Sequence, residues 1–190
     1  LGGSSEIGLE IIKIFLKKNW QVHAHYNKKN TDLKKIQSKN KMLHLYKSNF
    51  ANINNVKKFI RQITNKDICS VINLVGFIDN INYQKHEIKS LVKSLTINTL
   101  VPLQIQKSLL KYMIRINFGR ILNVSSIGVK YGGGEYTYNY AFSKHALEFI
   151  PSHLRKLASK NILTNVLRVG VVNTKLQKKI KGKNIKKRIQ

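Results

Sequence analysis

Acidic residues are what this chain most lacks: eight Asp and Glu stand against 35 Lys and Arg, a formal charge of +27 over 190 residues. Such a balance raises nucleic acid as a partner. The lysines, however, are spread along the whole chain and accompany heavy use of Ile and Asn, which reads as the codon bias of an AT-rich genome, so nucleic acid is not the expected partner. Only the tail from Lys175 to Arg188 crowds its cations, either to draw an acidic substrate or as a solvated segment. Cysteine is nearly absent too. The single Cys69 lies in an apolar run, excludes a disulfide framework and reads as a buried, inert thiol. No apolar run approaches the roughly eighteen residues that span a bilayer, and no secretory pattern is present, so a soluble, cytoplasmic protein is expected. The histidines lack metal-ligand company: His23 and His25 alternate on an apparent strand and His145 and His153 share a helix, with no Cys or carboxylate at zinc-like spacing. They are assigned structural roles, and no metal is expected.

What is present is regular alternation. With 42% hydrophobic content, 190 residues suit a single domain with a substantial core. Apolar spacing predicts helices over Leu9 to Phe15 and Ile53 to Ile63, with a short polar helix around Asp32 to Ser38. A long helical stretch follows from Ile88 to Met113, distorted near Pro102, and another from Tyr138 to Ser159, interrupted at Pro151. Strands are expected at Gln21 to Tyr26, Met42 to Tyr46, Ile68 to Leu74, Arg120 to Val124 and Leu163 to Val169. Strands separated by helices mean βαβ units and a parallel sheet covered on both faces, an α/β fold.

Two local patterns carry chemistry. Tyr140 and Lys144 are spaced to lie on one face of a helix about one turn apart. A cation near 4 Å from a phenol, worth at most about 4 kcal/mol at an effective dielectric near 20, would lower the phenol by up to roughly three pKa units. Neighbouring Tyr136 and Tyr138 have no such cation four residues on and read as packing or substrate-pocket residues. The second pattern is the opening run Leu1, Gly2, Gly3, Ser4, Ser5, Glu6, Ile7 and Gly8. Its glycines allow a tight turn, and a helix N-terminus following it would present N–H groups and a positive dipole end to phosphate.

Together with Asn73 to Gly76, Asn98, Ser126 and Val169 to Thr174, these runs resemble, in order and spacing over essentially the whole chain, a short-chain dehydrogenase/reductase of the compact, non-extended branch, similar to β-ketoacyl-carrier-protein reductases. The family's TGxxxGxG loop is matched by Leu1, Gly2 and Gly8, its NNAG segment by Asn73 to Gly76, its YxxxK motif by Tyr140 to Lys144, and its PGxVxT loop by Val169 to Thr174. The resemblance implies a Rossmann-type, doubly wound parallel sheet in three layers. It also implies a fragment, lacking the family's first central strand and its last helix and strand. It implies an NADP-dependent oxidoreductase, with NAD as the alternative, that interconverts a carbonyl and an alcohol. Tyr140 would be the acid/base, Ser126 would bind the carbonyl oxygen, Lys144 would lower the tyrosine pKa and hold the nicotinamide ribose, and Asn98 would support a water. Ser125 is the local rival to Ser126. Cofactor contacts would come from Gly2, Ser4, Ser5, Ile7, Gly8, Asn27, Lys28, Asn49, Asn73, Gly76, Tyr140, Lys144, Val172 and Thr174.

NADP follows from Tyr26, Asn27, Lys28 and Lys29 standing where an NAD enzyme would place an acid for the ribose 2′-hydroxyl. Glu6 replaces the middle glycine of the loop; it either faces solvent, where a first-turn acid suits the helix dipole, or weakens cofactor binding. The expected substrate is a small carbonyl or alcohol, anionic or carrier-bound, bounded in part by Ile127 to Tyr138. The expected assembly is a homotetramer or dimer through the two long helical stretches. The competing functions are a nucleotide-sugar epimerase or dehydratase, and a non-catalytic cofactor-sensing or nucleic-acid-binding protein on the same fold.

Overall fold

The computed structural model describes residues 1–28 and 30–181, so that Lys29 and, in the basic tail, Lys183, Lys186, Lys187 and Arg188 lie outside the described residues. The chain forms two compact units, Leu1–Lys66 and Asp67–Gln190.

In the first unit, Ser5 caps helix α1 (Glu6–Lys17), its side chain accepting the Gly8 N–H. The helix therefore begins earlier than the apolar spacing alone indicated, because polar Glu6 can occupy a capped first turn. Strand β1 (Val22–Tyr26) pairs in parallel with β2 (Leu43–Lys47), in register from Val22 with Leu43 to Tyr26 with Lys47. Between them α2 (Thr31–Lys39) starts at Asn30, whose Oδ1 accepts the Leu33 N–H. The stripe of Ile12 and Leu16 on α1 packs with Ala24, Leu33 and Leu43; each fully buried Leu or Ile contributes roughly 1.5–3 kcal/mol. Helix α3 (Ile53–Thr64) buries Val56, Phe59 and Ile63.

The second unit has β3 (Ser70–Asn73), β4 (Gly119–Ser126) and β5 (Ile162–Val169) in that order, all parallel. The stretch from Ile88 onward divides into α4 (Ile88–Leu95), a π turn at Thr96–Leu100 and α5 (Val101–Arg115). The widened turn has a local cause. Pro102 cannot donate to the carbonyl of Asn98, and the Val101 N–H reaches back to Thr96. After β4, helix α6 (Tyr138–Leu147) ends before Pro151, and α7 (Ser152–Lys156) resumes beyond it. The residue preceding a proline disfavours helix, so the break spreads to both sides of it. A short helix α8 (Lys175–Lys178) is capped by Thr174.

Two expectations change. β5 is not covered on both faces: Leu163 and Leu167 are 39% and 50% exposed. Cys69, expected buried, is half-buried just before β3, its carbonyl accepting the Arg120 N–H at 2.9 Å. Among the described residues no helix is long and apolar enough to cross a membrane, and no group of His, Cys, Asp and Glu could hold a metal ion.

Candidate active site and cofactor loop

The glycine loop is built by backbone. Gly2 adopts φ +76°, a left-handed conformation that side chains resist. Its carbonyl accepts both the Ser5 N–H at 3.2 Å and the Ser5 hydroxyl at 2.9 Å. A Cβ on Gly8 would stand 2.8 Å from the Gly2 oxygen and 2.9 Å from Gly3 backbone atoms, so the helix can approach the loop only without a side chain there. Ser4 is tied to α2 through its carbonyl, which accepts from Asn30 Nδ2 at 2.9 Å. Ile7 lies in the first turn of α1, where N–H groups lack intrahelical acceptors. Glu6 is half-exposed in that same turn.

A histidine assigned only a structural role proves central to this loop. His25 is 4% exposed. Its Nδ1 accepts the Gly2 N–H at 3.2 Å, its Nε2–H donates to the Ser48 carbonyl at 2.9 Å, and its own carbonyl accepts the Gly3 N–H at 2.8 Å. Burial pushes its pKa down to about 3, although the bond to Ser48 works in the opposite direction. The one signal in the sequence was a polar residue at the inward phase of a strand.

In the second unit, strand alternation separates the two candidate serines. Ser125 faces the interior and donates to Glu148 Oε1 at 2.6 Å. Ser126 lies on the other face, accepts the Gly128 N–H at 3.1 Å, and its side chain acts on the Tyr140 phenol so as to lower its pKa. The structure thus brings together Ser126 and Tyr140, with Lys144 one helical turn on.

The electrostatics differ from expectation. Tyr140 is pushed up, not down: burial of the phenol is the larger cause, and the Ser126 hydroxyl opposes it. Lys144 does not bond to the phenol. Its Nζ donates to the Val75 and Val124 carbonyls at 2.8 and 2.6 Å and stands 5.9 Å from the Tyr140 ring centroid. Lys144 is 2% exposed, and burial lowers its pKa to about 7. The cation expected to draw the tyrosine down is itself only partly present at neutral pH, and the same desolvation acts on both groups.

Asn98, on the π turn, is fully buried. Its amide clamps Phe77, accepting the N–H at 2.7 Å and donating to the carbonyl at 2.9 Å, and gives its second N–H to Ser143 Oγ at 2.8 Å. Ser143 donates in turn to the Tyr140 carbonyl at 2.8 Å. Asn98 therefore links the segment after β3 to the helix bearing Tyr140 and Lys144.

The remaining predicted positions divide. The Asn73 side chain is wholly interior, accepting the Val75 N–H at 3.2 Å and donating to Asn123 at 3.3 Å, so it shapes the turn after β3 and offers no amide to a ligand. A Cβ on Gly76 would lie 3.8 Å from the Tyr140 ring and 3.2 Å from Leu176, so this glycine keeps the tyrosine's surroundings open. Asn27 and Lys28 are exposed in the bend after β1. Asn49 is exposed, with its Oδ1 accepting the Ala51 N–H at 3.0 Å. Val172 is 38% exposed, whereas Thr174 is spent capping α8. Tyr138 packs edge-on against Tyr83, with centroids 4.9 Å apart. It also lines an open cavity of about 490 Å³ with Asn82, Glu135 and Gly132 to Gly134, and Tyr140 is not among the lining residues.

Behind the serines, Glu148 is held by Arg168 through Nε at 2.8 Å and Nη2 at 2.6 Å, and by Ser125. Arg168 foremost, with Ser125, holds its carboxyl below the usual range. A depressed folded pKa gives stability that is present above the unfolded value near 4.3 and is lost as pH falls through the folded one. The thermal midpoint is therefore expected to fall more steeply on acidification in the wild type than in Glu148→Gln; parallel curves would show that the pair contributes nothing.

A glycine loop that opens a helix, parallel strands joined by helices, and a Ser–Tyr–Lys set on a strand end and the next helix define a Rossmann-type α/β protein. Residues 1–184 match the short chain dehydrogenase family, and the chain belongs to that family. It is 28% identical over 138 residues to the 3-oxoacyl-[acyl-carrier-protein] reductase FabG of Buchnera aphidicola subsp. Acyrthosiphon pisum (strain APS), covering 70% of this chain and 55% of that protein. The chain thus matches about half the length of that curated relative. Among solved structures it resembles a 4-hydroxyisoleucine dehydrogenase mutant complexed with NADH and succinate, with TM-score 0.83, 23% identity, and coverage of 93% of this chain and 74% of that one. It also resembles a 3-oxoacyl (acyl-carrier-protein) reductase from Agrobacterium tumefaciens C58 with NADP bound, with TM-score 0.81, 20% identity, and coverage of 94% and 70%. At these identities the structural likeness speaks for the fold.

Proposed function

We propose that this protein is an NADP-dependent oxidoreductase that reduces the ketone of a carrier-bound or anionic 3-oxoacyl compound to an alcohol. The observation that carries the reading is the Ser126 hydroxyl acting on the Tyr140 phenol from the end of β4, with Lys144 buried one helical turn on.

The residues present fit a dinucleotide. The side-chain-free cradle of Gly2, Gly3 and Gly8 and the first-turn N–H of Ile7 suit its phosphates, and exposed Asn27 and Lys28, without an acid, suit a 2′-phosphate. When bound, the nicotinamide supplies the hydride. Tyr140 holds its proton at neutral pH because burial raises its pKa, which suits a general acid toward a carbonyl oxygen. Ser126 shares the bond to that oxygen, and its hydroxyl stabilises the phenolate left behind. Lys144, its Nζ held by the Val75 and Val124 carbonyls, in its ammonium form stabilises the phenolate that Tyr140 becomes on giving up its proton. Asn98, whose amide is committed, acts through its main-chain carbonyl, which Pro102 leaves without the usual helical donor. The exposed Ile88 and Val92 on α4 and Phe142 on α6 support self-association through these helices. The Buchnera relative supports the 3-oxoacyl class of substrate.

Titration of the purified protein with NADPH and NADH, followed by NADPH consumption against a panel of 3-oxoacyl thioesters, tests this. NADPH is expected to bind more tightly and to be consumed. Tighter NADH binding would overturn the cofactor choice. No turnover with any carbonyl, combined with steeply salt-dependent binding to RNA or DNA, would favour the non-catalytic alternative.

A further inference from the structure

The imidazole of His25 does two jobs that a purely apolar side chain could not. Its flat ring stacks on Phe50 with centroids 4.0 Å apart and planes 12° from parallel, and it leans on Phe59 at 5.3 Å. A phenylalanine would fill that space equally well. What histidine adds is an acceptor at Nδ1 for the Gly2 N–H and a donor at Nε2 for the Ser48 carbonyl. The Gly2 N–H can donate only to an unprotonated Nδ1, so the ring must be the neutral Nε2–H tautomer, and that tautomer satisfies both bonds at once. The same residue's carbonyl takes the Gly3 N–H. Two successive loop amides are thereby fixed by one strand residue, at the point where Gly2 turns left-handed. At its far edge the ring fixes the carbonyl that immediately precedes Asn49.

We propose that His25 is a positioning residue for the cofactor: it holds the Gly2–Gly3 amides and the Ser48–Asn49 segment in one fixed relation, so that the loop is set before the dinucleotide arrives. This rests on the reading of the loop as a dinucleotide site. Preorganisation of this kind strengthens binding by reducing the ordering that the ligand must impose. The His25 ring is 4% exposed and does not need to touch the ligand to act.

Three substitutions separate positioning from packing. His25→Phe keeps the stack and loses both polar contacts; His25→Asn places an amide oxygen near Nδ1; His25→Gln places an amide nitrogen near Nε2. In fluorescence titrations with NADPH, the Phe variant is expected to bind about tenfold more weakly, the scale of one lost hydrogen bond. Its KM for NADPH should rise while kcat at saturating NADPH holds, and Asn should recover more of the affinity than Gln. Hydrogen exchange on the ligand-free protein gives an independent readout: peptides covering residues 1–8 should exchange faster in the Phe variant and return toward wild type in Asn. Equal NADPH affinity in wild type and Phe, or equal losses in Phe and Asn, would overturn the proposal. If the wild type binds neither NADPH nor NADH, the dinucleotide reading falls; the exchange data then still decide whether His25 holds the loop, and unchanged exchange in Phe refutes it.

Discussion

Tyr140→Phe is expected to lower kcat by about 10²–10⁴-fold, the range for loss of a positioned general acid, while NADPH still binds. The substitution removes one oxygen and little else. The ring, its burial and the helix remain, Ser126 keeps its bond from the Gly128 N–H, and the Lys144 ammonium keeps its two carbonyls. Folding stability should change by no more than about 1 kcal/mol, since a desolvated hydroxyl is exchanged for hydrogen. Stopped-flow reduction of the preferred substrate, with a cofactor titration alongside, measures both halves. An unchanged kcat would remove Tyr140 from the chemistry. A parallel loss of kcat and cofactor affinity would assign it to binding instead.

Gly8→Val is expected to abolish measurable NADPH binding and to destabilise the fold by about 1–3 kcal/mol, the usual penalty for overpacking. The atoms that a Cβ would meet at 2.8 and 2.9 Å are backbone atoms of Gly2 and Gly3, which cannot rotate aside as a side chain would. Either α1 withdraws or the loop moves, and both outcomes separate the first-turn N–H groups from the ligand. Gly170→Ala is the control for stability, since nothing lies within 4 Å of a Cβ there. A Gly8→Val protein that melts with wild type and still binds NADPH would show that the loop's close approach is dispensable.

Much of the fold was legible because period and punctuation are local properties. The switch between apolar runs and helical spacing located the five strands and the helical stretches before β5 to within a few residues, and the glycine run marked a helix start; the short α8 was not foreseen. What periodicity could not resolve was the interior of the long stretch from Ile88. There Pro102 announced a distortion, but whether the chain would kink, break or widen depended on how Val101 and Thr96 rejoined their backbone groups. The open face of β5 was equally invisible, since alternation shows which residues share a face but not what covers it.

For the site, the resemblance carried by the order of motifs selected Ser126, Tyr140, Lys144 and Asn98 as one constellation, whereas helix spacing by itself paired only Tyr140 with Lys144. Charge behaviour was not readable in this way. Whether a phenol and an ammonium help each other depends on the dielectric around them and on the other partners within reach, and here burial raises the tyrosine and lowers the lysine. The choice between Ser125 and Ser126 sits between these cases. Adjacent strand residues must face opposite ways, which is local, but only packing against α6 determined that Glu148 would claim one and Tyr140 the other. His25 lies wholly on the tertiary side. In sequence it is one more polar residue on a strand, and its grip on Gly2 and Ser48 exists only because folding brings distant backbone amides and carbonyls to the two edges of one ring.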